Sequence, residues 1–161
     1  MIKYIKKGLT SFWRLVPGHM QWWCLWLGHS KYNVGVSGIV SDSNGKVLLI
    51  NHVFRSRFSW GFPSGWMKSG ETFEDTLIRE VKEETGLTIE SVSLHSIQSG
   101  YKYRIQVILT ANAPLQDSPH TKSIEVYTYS FFAINELPDS LLPEHRTILN
   151  TLQSRDGSRD A

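Results

Sequence analysis

The sequence predicts one domain of the α/β (α+β) class, preceded by a tryptophan-rich helical extension. Short apolar runs with strand periodicity recur along residues 34–133, and a well-capped helix interrupts them. The 161 residues are 40% hydrophobic and 20% charged, as expected for one globular domain with a sizeable core. We expect the extension at residues 1–32, the domain at residues 33–153 and a frayed tail at residues 154–161.

The extension is basic and aromatic. Residues 1–41 contain five basic residues and no acidic one, together with four of the six tryptophans. Two short helices are predicted, at residues 9–16 and 19–27, on either side of Pro17. A membrane-spanning helix needs about 20 predominantly apolar residues, and Arg14 and Gln21 are among the residues that interrupt this run. We therefore expect no spanning helix, and no cleaved signal peptide because residues 28–31 make a poor cleavage site.

Two interpretations of the extension remain open. It packs on the domain or across a homodimer interface, or it is an interfacial anchor whose aromatic rings sit at headgroup level while its lysines meet anionic lipid. The single cysteine, Cys24, excludes an internal disulfide framework and fits a reducing compartment. We therefore expect a cytoplasmic protein, with peripheral membrane contact as the alternative.

The strands begin with a hairpin. Residues 34–40 alternate in polarity, residues 47–50 are apolar, and Asn44-Gly45 between them is a turn dipeptide. The other elements predicted by periodicity are strands at 87–97, 101–110 and 124–133, a polar loop at 113–123 and a helix at 143–153.

A loop and a helix lie between these strands. Gly65 and Gly70 mark the loop, since glycine lets backbone turn and approach a ligand closely. Thr72 is a predicted N-cap with Asp75 in the capping-box position. The helix should start directly after Thr72 and run for about thirteen residues to Gly86, a C-terminal stop signal.

The helix carries three carboxylates on one side. Glu80, Glu83 and Glu84 are three and four residues apart, so they project from one neighbourhood of its surface. Like charges at this spacing cost a few tenths of a kcal/mol per pair. Mg²⁺ takes such oxygen ligands and would reverse the sign of that cost. The alternative is a solvated, charge-rich helix face.

The order of residues in the loop and helix resembles the Nudix box. The nine matching positions are Gly65, Glu71, Arg79, Glu80, Val81, Glu83, Glu84, Gly86 and Leu87. A chance match has a probability of about one in 10⁹ per starting position. The resemblance implies a Nudix-type α/β/α sandwich with a central mixed sheet. It also implies hydrolysis, with Mg²⁺ or Mn²⁺, of a nucleoside diphosphate linked to another moiety. The usual Gly-Gly is Ser64-Gly65 here, and Lys68 replaces a common acid, which leaves the loop geometry open.

The resemblance also implies roles for particular residues. The metal ligands would be Glu80, Glu83 and Glu84, with the backbone carbonyl of Gly65. Glu71 would pair with Arg79 and fix the loop on the helix. The general base would be Glu83 or Glu125, which precedes a late strand; a plain solvent-facing glutamate is the alternative at Glu125.

Four further residues are candidates for substrate binding. Arg55 and Arg57 lie near aromatic residues just before the acidic loop, a combination suited to phosphate and base recognition. A solvated basic loop is the alternative for them, and core packing is the alternative for Trp60. Tyr103 matches a tyrosine that some dinucleoside polyphosphate hydrolases of the family place after the box, and its alternative is an ordinary sheet residue.

The sequence leaves the substrate open. We expect a nucleotide sugar, a CDP-alcohol or ADP-ribose. The alternatives are a dinucleoside polyphosphate or nucleoside triphosphate, an RNA 5′ end, or a regulatory module that binds nucleotide without cleaving it. Nucleic acid is not the expected partner, because the basic residues cluster at the N-terminus and form no extended groove.

Overall fold

The computed structural model describes residues 10–101, 103–114 and 123–156. The polar loop expected at 113–123 and the frayed tail expected at 154–161 lie largely outside these ranges, as does the start of the extension. Contacts divide the chain into two units, one ending at Tyr32 and the other beginning at Asn33.

The first unit is helical. Residues 10–15 form a helical turn, and helix α1 spans Gly18–Gly28. Pro17 lies at the break, where its carbonyl accepts hydrogen bonds from the N–H groups of Met20 and Gln21 at 2.9 and 3.0 Å. In the described residues this confirms the prediction of two short helices separated at Pro17, because proline ends one helix and starts the next readily.

The second unit is built on a seven-stranded mixed sheet. Its strands are β1 (Asn33–Ser41), β2 (Val47–His52), β3 (Trp60–Gly61), β4 (Ser64–Trp66), β5 (Glu90–Tyr101), β6 (Arg104–Asn112) and β7 (Val126–Phe132). The main order is β3-β2-β1-β6-β5, with β4 paired to β1 and β7 paired to β2. The β1–β6 pair is parallel along its whole length, whereas β1 is antiparallel to β2 and β4.

The first two strands separate soon after their turn. Their register contains the pair Ser41 and Val47, next to the turn in which Gly45 has a φ of +73°. Beyond it, β3 pairs with β2 and β4 pairs with β1, so residues 60–66 fill the gap between the diverging strands. Phe62 in this stretch is fully buried. The loop that precedes the acidic helix is thus held inside the sheet.

Helices α2 (Phe73–Thr85) and α3 (Pro143–Asp156) pack against two separate cores. Leu77 of α2 belongs to a cluster with Val36 and Val40 of β1, whereas Leu149 of α3 belongs to a cluster with Ile39 of the same strand. Because neighbouring strand residues point to opposite faces, the helices cover opposite faces of the sheet. This confirms the predicted α/β/α sandwich with a central mixed sheet.

Two strands have bounds that differ from the prediction. The strand expected at 87–97 begins at Glu90 and continues to Tyr101. Tyr103 was expected on the next strand, but it has a φ of +55° and lies in the β5–β6 hairpin connection, before β6 starts at Arg104. Periodicity missed this, because the residues on both sides of the connection continue the same alternation.

Candidate active site

The ends of α2 are fixed by local hydrogen bonds. The hydroxyl of Thr72 accepts from the N–H of Asp75 at 3.0 Å, and Asp75 accepts from the N–H of Thr72 at 3.2 Å. At the other end, Gly86 has a φ of +77° and donates its N–H to the carbonyl of Lys82 at 3.0 Å. The capping box and the glycine stop were both predicted, and they set which side chains face the loop.

Arg79 binds the loop to the helix through Glu71. Its Nε and Nη2 donate to the two oxygens of Glu71 at 2.6 and 2.9 Å, and Nη2 also donates to the carbonyl of Trp66 at 3.1 Å. Glu71 further accepts from the N–H of Lys68 and the hydroxyl of Thr76, both at 2.9 Å. These hydrogen bonds, led by those from Arg79, lower the pKa of Glu71 to about 2. A charge so fully paired is a structural anchor.

Glu80 lies against the backbone of Gly65. A Cβ at position 65 would be 1.9 Å from the carboxyl carbon of Glu80, so only glycine leaves room for this carboxylate. Nη1 of Arg79 donates to Glu80 at 2.5 Å. Burial nevertheless raises the pKa of Glu80 above its ordinary value.

Glu84 is the most buried acid among the described residues, with 6% of its surface exposed. Its Oε2 accepts the N–H of Ser64 at 3.3 Å. Burial, followed by the repulsion of Glu80, raises the pKa of Glu84 to about 8, and the charge of Arg55 lowers it only in part. A carboxyl held in this way costs free energy when ionised and gains from a cation.

The other two predicted acids are exposed. Glu83 lies 3.8 Å from Nζ of Lys68 and 3.5 Å from Nη1 of Arg79. Glu125 precedes β7, and its carbonyl accepts the N–H of Val53 at 2.9 Å. The charge of Glu125 contributes to the raised pKa of Glu84, which places the two acids within electrostatic range.

The acids do not converge on one point within the described residues. No group of three His, Cys, Asp or Glu side chains there is arranged to hold a metal ion. Glu80 and Glu84 still suit a hard divalent cation, because carboxylate oxygens are its preferred ligands. Both have raised pKa values, and the space that Glu80 occupies beside Gly65 would be filled by any side chain there.

A cleft of about 700 Å³ lies between the sheet and α3, and neither Glu80 nor Glu84 lines it. Ser64 joins the two features, because it lines the cleft while its N–H donates to Glu84. Arg55 and Arg104 bring two guanidinium groups to the lining. The described lining residues are Ser37, Arg55, Ser64, Gln98, Ser99, Arg104, Gln106, Ile108, Leu142, Glu144, His145, Thr147 and Ile148.

The polar wall of the cleft is organised across three strands. Gln106 of β6 donates from Nε2 to the hydroxyl of Ser37 on β1 at 2.7 Å, and its Oε1 accepts from Arg104. The Arg104 guanidinium lies 5.0 Å from the ring centre of Trp66. No sequence pattern predicts this group, because pairing of β1 with β6 brings together residues about 70 positions apart.

Arg55 has an unusual environment. Its Nη1 is buried and has no hydrogen-bond partner within the described residues. Its charge contributes to lowering the pKa of His52 and of His145 to about 4, in both cases after burial itself. His145 is held in place, since its Nδ1 accepts the N–H of Phe62 at 3.0 Å and its ring stacks on Phe62 at 4.1 Å. Both histidines are therefore neutral at physiological pH.

The remaining predicted binding residues lie elsewhere. Arg57 is exposed, with its guanidinium 5.4 Å from the ring centre of Phe58. Trp60 is half-buried and packs edge-on against Phe132 at 5.0 Å, as part of the core beneath α3. Tyr103 is 67% exposed in the hairpin connection. None of the three is among the described residues that line the cleft.

Comparisons with known proteins agree with this geometry. The family model described as "NUDIX domain" matches residues 31–152. The chain is 32% identical over 135 residues to the ADP-ribose pyrophosphatase of Methanocaldococcus jannaschii, covering 77% of this chain and 75% of that one. It is also 40% identical over 77 residues to a Xenopus laevis protein named nucleoside diphosphate-linked moiety X motif 6, covering 47% of this chain. The match spans only 36% of the Xenopus protein.

Solved structures share the fold. The crystal structure of a NUDIX hydrolase from Nitrosomonas europaea superposes with a TM-score of 0.65 at 24% sequence identity. The superposition covers 75% of this chain and 69% of that one. At this identity the likeness concerns the fold alone.

Proposed function

The chain belongs to the Nudix family, and on that premise we propose that it hydrolyses the pyrophosphate bond of a nucleoside diphosphate linked to a second moiety. The observation that carries this proposal is the position of Glu84. It is a buried carboxyl with a pKa raised to about 8, beside Glu80, and it accepts the N–H of Ser64, which lines the cleft that contains two guanidinium groups. Carboxylates near cations are what a pyrophosphate and its counter-ion require.

Glu80, Glu84 and the carbonyl of Gly65 are the groups that would hold a divalent ion, Mg²⁺ or Mn²⁺. Such an ion, when bound, neutralises phosphate oxygens and makes water a stronger nucleophile at neutral pH. The protein contributes the fixed position of these groups. Arg79 and Glu71 hold the loop at the helix, and the N–H of Ser64 orients Glu84.

One exposed acid would take the proton of the attacking water. The new bond forms between the water oxygen and phosphorus, the anhydride P–O bond breaks, and the leaving phosphate carries the electron pair. Glu83 and Glu125 are the two candidates for the base, because both side chains are solvent-accessible. Glu83→Gln should abolish turnover with the fold intact. If Glu125 is the base, Glu125→Gln will instead remove the acidic limb of the pH–rate profile while Glu83→Gln stays within tenfold of wild type.

The cleft lining favours a polar second moiety. Gln98, Ser99 and Gln106 supply hydrogen-bond donors and acceptors, and the described lining contains no phenyl, phenol or indole ring on which a second base could stack. A nucleotide sugar, a CDP-alcohol or ADP-ribose fits these walls. The name of the Methanocaldococcus jannaschii relative, an ADP-ribose pyrophosphatase, supports ADP-ribose as the first compound to test.

The test is a substrate panel with phosphatase-coupled detection of phosphate. It contains ADP-ribose, nucleoside diphosphate sugars, CDP-choline, diadenosine polyphosphates, nucleoside triphosphates and triphosphorylated RNA, each with Mg²⁺, Mn²⁺ or EDTA. We expect metal-dependent release from one of the first three classes. Preference for a polyphosphate or for RNA would replace the proposed substrate class. Binding of nucleotide without cleavage of any compound would indicate a regulatory module.

A further inference from the structure

We propose that the N-terminal helical segment, residues 10–31, binds the surface of an anionic lipid bilayer. The proposal concerns a part of the chain that supplies no residue to the cleft or to the acidic helix. It therefore stands independently of the substrate and of the reaction.

The segment exposes many large apolar side chains. Helix α1 has no buried residue, and its apolar side chains are spread around the helix rather than gathered in one stripe. Leu15 and Leu27 are 81% and 67% exposed, and Trp22 is 60% exposed. The other exposed large apolar residues of the segment are Phe12, Trp13, Met20, Trp23, Leu25 and Trp26. So many exposed large apolar side chains in one short segment mark a binding site for a partner or a membrane.

Three indole rings form one cluster on α1. Trp23 and Trp26 contact edge-to-face at 5.5 Å between ring centres, and Trp22 and Trp26 stack at 6.4 Å. Nζ of Lys31 lies 4.3 Å from the ring centre of Trp26. An amphipathic ring next to an ammonium group is the combination that sits at the headgroup level of a bilayer, where the ring is in the apolar boundary and the cation meets phosphate.

Several backbone carbonyls near the helix ends have side-chain hydrogen-bond donors within the segment. His29 hydrogen-bonds the carbonyl of Leu25 at 2.5 Å, and Lys31 donates to the carbonyl of Leu27 at 3.4 Å. Gln21 donates to the carbonyls of Trp13 and Val16 at 2.6 and 2.9 Å. Backbone carbonyls that enter an apolar environment need such partners, since water is scarce there.

The positive charge of the N-terminal region favours an anionic lipid surface over an apolar protein partner. Residues 1–41 hold five basic side chains and no acidic one, whereas the remaining residues hold twelve basic and fifteen acidic ones. Within residues 10–31 the charged side chains are Arg14 and Lys31, both positive, so anionic headgroups attract the segment. The eleven residues of α1 are about 16 Å long, roughly half the hydrocarbon thickness of a bilayer. In the part of the chain that the structure describes, no helix combines the length and apolar character that a crossing needs.

The test is co-sedimentation of the full chain with vesicles of phosphatidylcholine alone, or of phosphatidylcholine and phosphatidylglycerol in equal amounts. We expect binding to the mixed vesicles about tenfold stronger than to the neutral ones, and weakened by salt. Trp22→Ser/Trp23→Ser/Trp26→Ser should reduce it about tenfold or more. Lys31→Gln, which keeps every apolar side chain, should reduce it about fivefold.

Tyr127→Ser is the matched control, because it removes an aromatic ring that is 76% exposed on β7. It should bind the mixed vesicles as wild type does. Circular dichroism melting of each variant verifies the fold. The proposal is overturned if the mixed vesicles do not bind the chain, or if the triple variant binds them equally. A dimer interface in place of a membrane site would also overturn it. In that case the chain is a dimer in solution, the triple variant is a monomer, and the dimer does not bind vesicles.

Discussion

Glu71 precedes Arg79 in the sequence and Glu84 follows it, and the two carboxyl groups have opposite environments in the structure. Glu71 accepts two hydrogen bonds from Arg79 and has a pKa lowered to about 2. Glu84 is buried, receives one backbone N–H and has a pKa raised to about 8. The chain neutralises the first charge itself and leaves the second without a counter-charge in contact.

Within one motif, Glu71 is therefore suited to stabilise the fold, whereas Glu84 is suited to bind a cation. A paired carboxylate stabilises the fold in its ionised state, and it has no remaining capacity for a ligand. A buried carboxyl beside another acid is unfavourable when ionised until a cation arrives. We therefore expect substitutions at Glu71 and Glu84 to have different effects on stability and activity.

Among substitutions at these two acids and around them, Glu84→Gln should have the largest effect on turnover. The substitution keeps the size of the side chain and its acceptor for Ser64, but it removes the charge that would hold a divalent ion. We expect kcat to fall by about 10³-fold or more, the upper range for loss of one electrostatic stabiliser. Glu74→Gln, an acid in the first turn of the same helix, is the control and should remain within twofold of wild type. Comparable activity of Glu84→Gln and Glu74→Gln would contradict a cation-binding role for Glu84.

Gly65→Ala should be the next most damaging change. The new Cβ would overlap the carboxylate of Glu80, whose nearest atoms lie 1.9 Å from that position, so the acid must move away from the loop. We expect activity to fall by about 10²-fold, because misplacement by about 1 Å has that cost. Gly18→Ala is the control, since a Cβ there has no atom within 4 Å. Normal kinetics of Gly65→Ala would show that Glu80 is not needed at this position.

The two acids should have opposite effects on stability. With EDTA, above the raised pKa of Glu84, Glu84→Gln removes an unfavourable buried charge and should raise the melting temperature by a few degrees. Glu71→Gln removes a favourable paired charge and should lower it by a few degrees, because a carboxylate with a depressed pKa contributes stability above its ordinary pKa. Circular dichroism melting measures both, and equal signs would refute the comparison.

The smallest effect concerns the acid sensitivity of the cleft wall at His145. Burial lowers the pKa of His145 from 6.5 to about 4. Between pH 6.5 and pH 4, this histidine therefore binds a proton in the unfolded chain but not in the folded chain. The free energy of unfolding should therefore fall as pH drops from 6.5 toward 4. His145→Gln, which can still accept from Phe62, should lose less stability, by about 1–2 kcal/mol near pH 5. His52, with a similarly lowered pKa, keeps part of the dependence in the variant. Identical losses in both proteins would show that His145 is hydrated and keeps its ordinary pKa.

The parts predicted from the sequence are those set by local interactions. Thr72, Asp75 and Gly86 fix the ends of α2 through contacts within a few residues, so its boundaries follow from the sequence. The alternation of residues 34–40 predicts strand β1 in the same way, whereas its burial on both faces depends on the elements that cover the sheet. The motif indicated Gly65, whose reason is the close approach of Glu80.

The parts that were missed depend on distant pairing. Arg104 and Gln106 reach the cleft because β6 pairs in parallel with β1, and His145 reaches it because α3 folds back over the sheet. Such contacts leave no periodic signal in any one segment. Gly38 of β1 also depends on a distant contact, because a Cβ there would be 2.5 Å from Leu77 of α2.

The most direct test of the division between Glu71 and Glu84 is a titration with Mn²⁺, in which electron paramagnetic resonance reports the free ion. Wild type should bind Mn²⁺ saturably, Glu74→Gln should match it, and Glu84→Gln should bind about tenfold more weakly or worse. Equal Mn²⁺ affinity of wild type and Glu84→Gln would show that the buried carboxyl does not hold the ion, and would contradict the central claim.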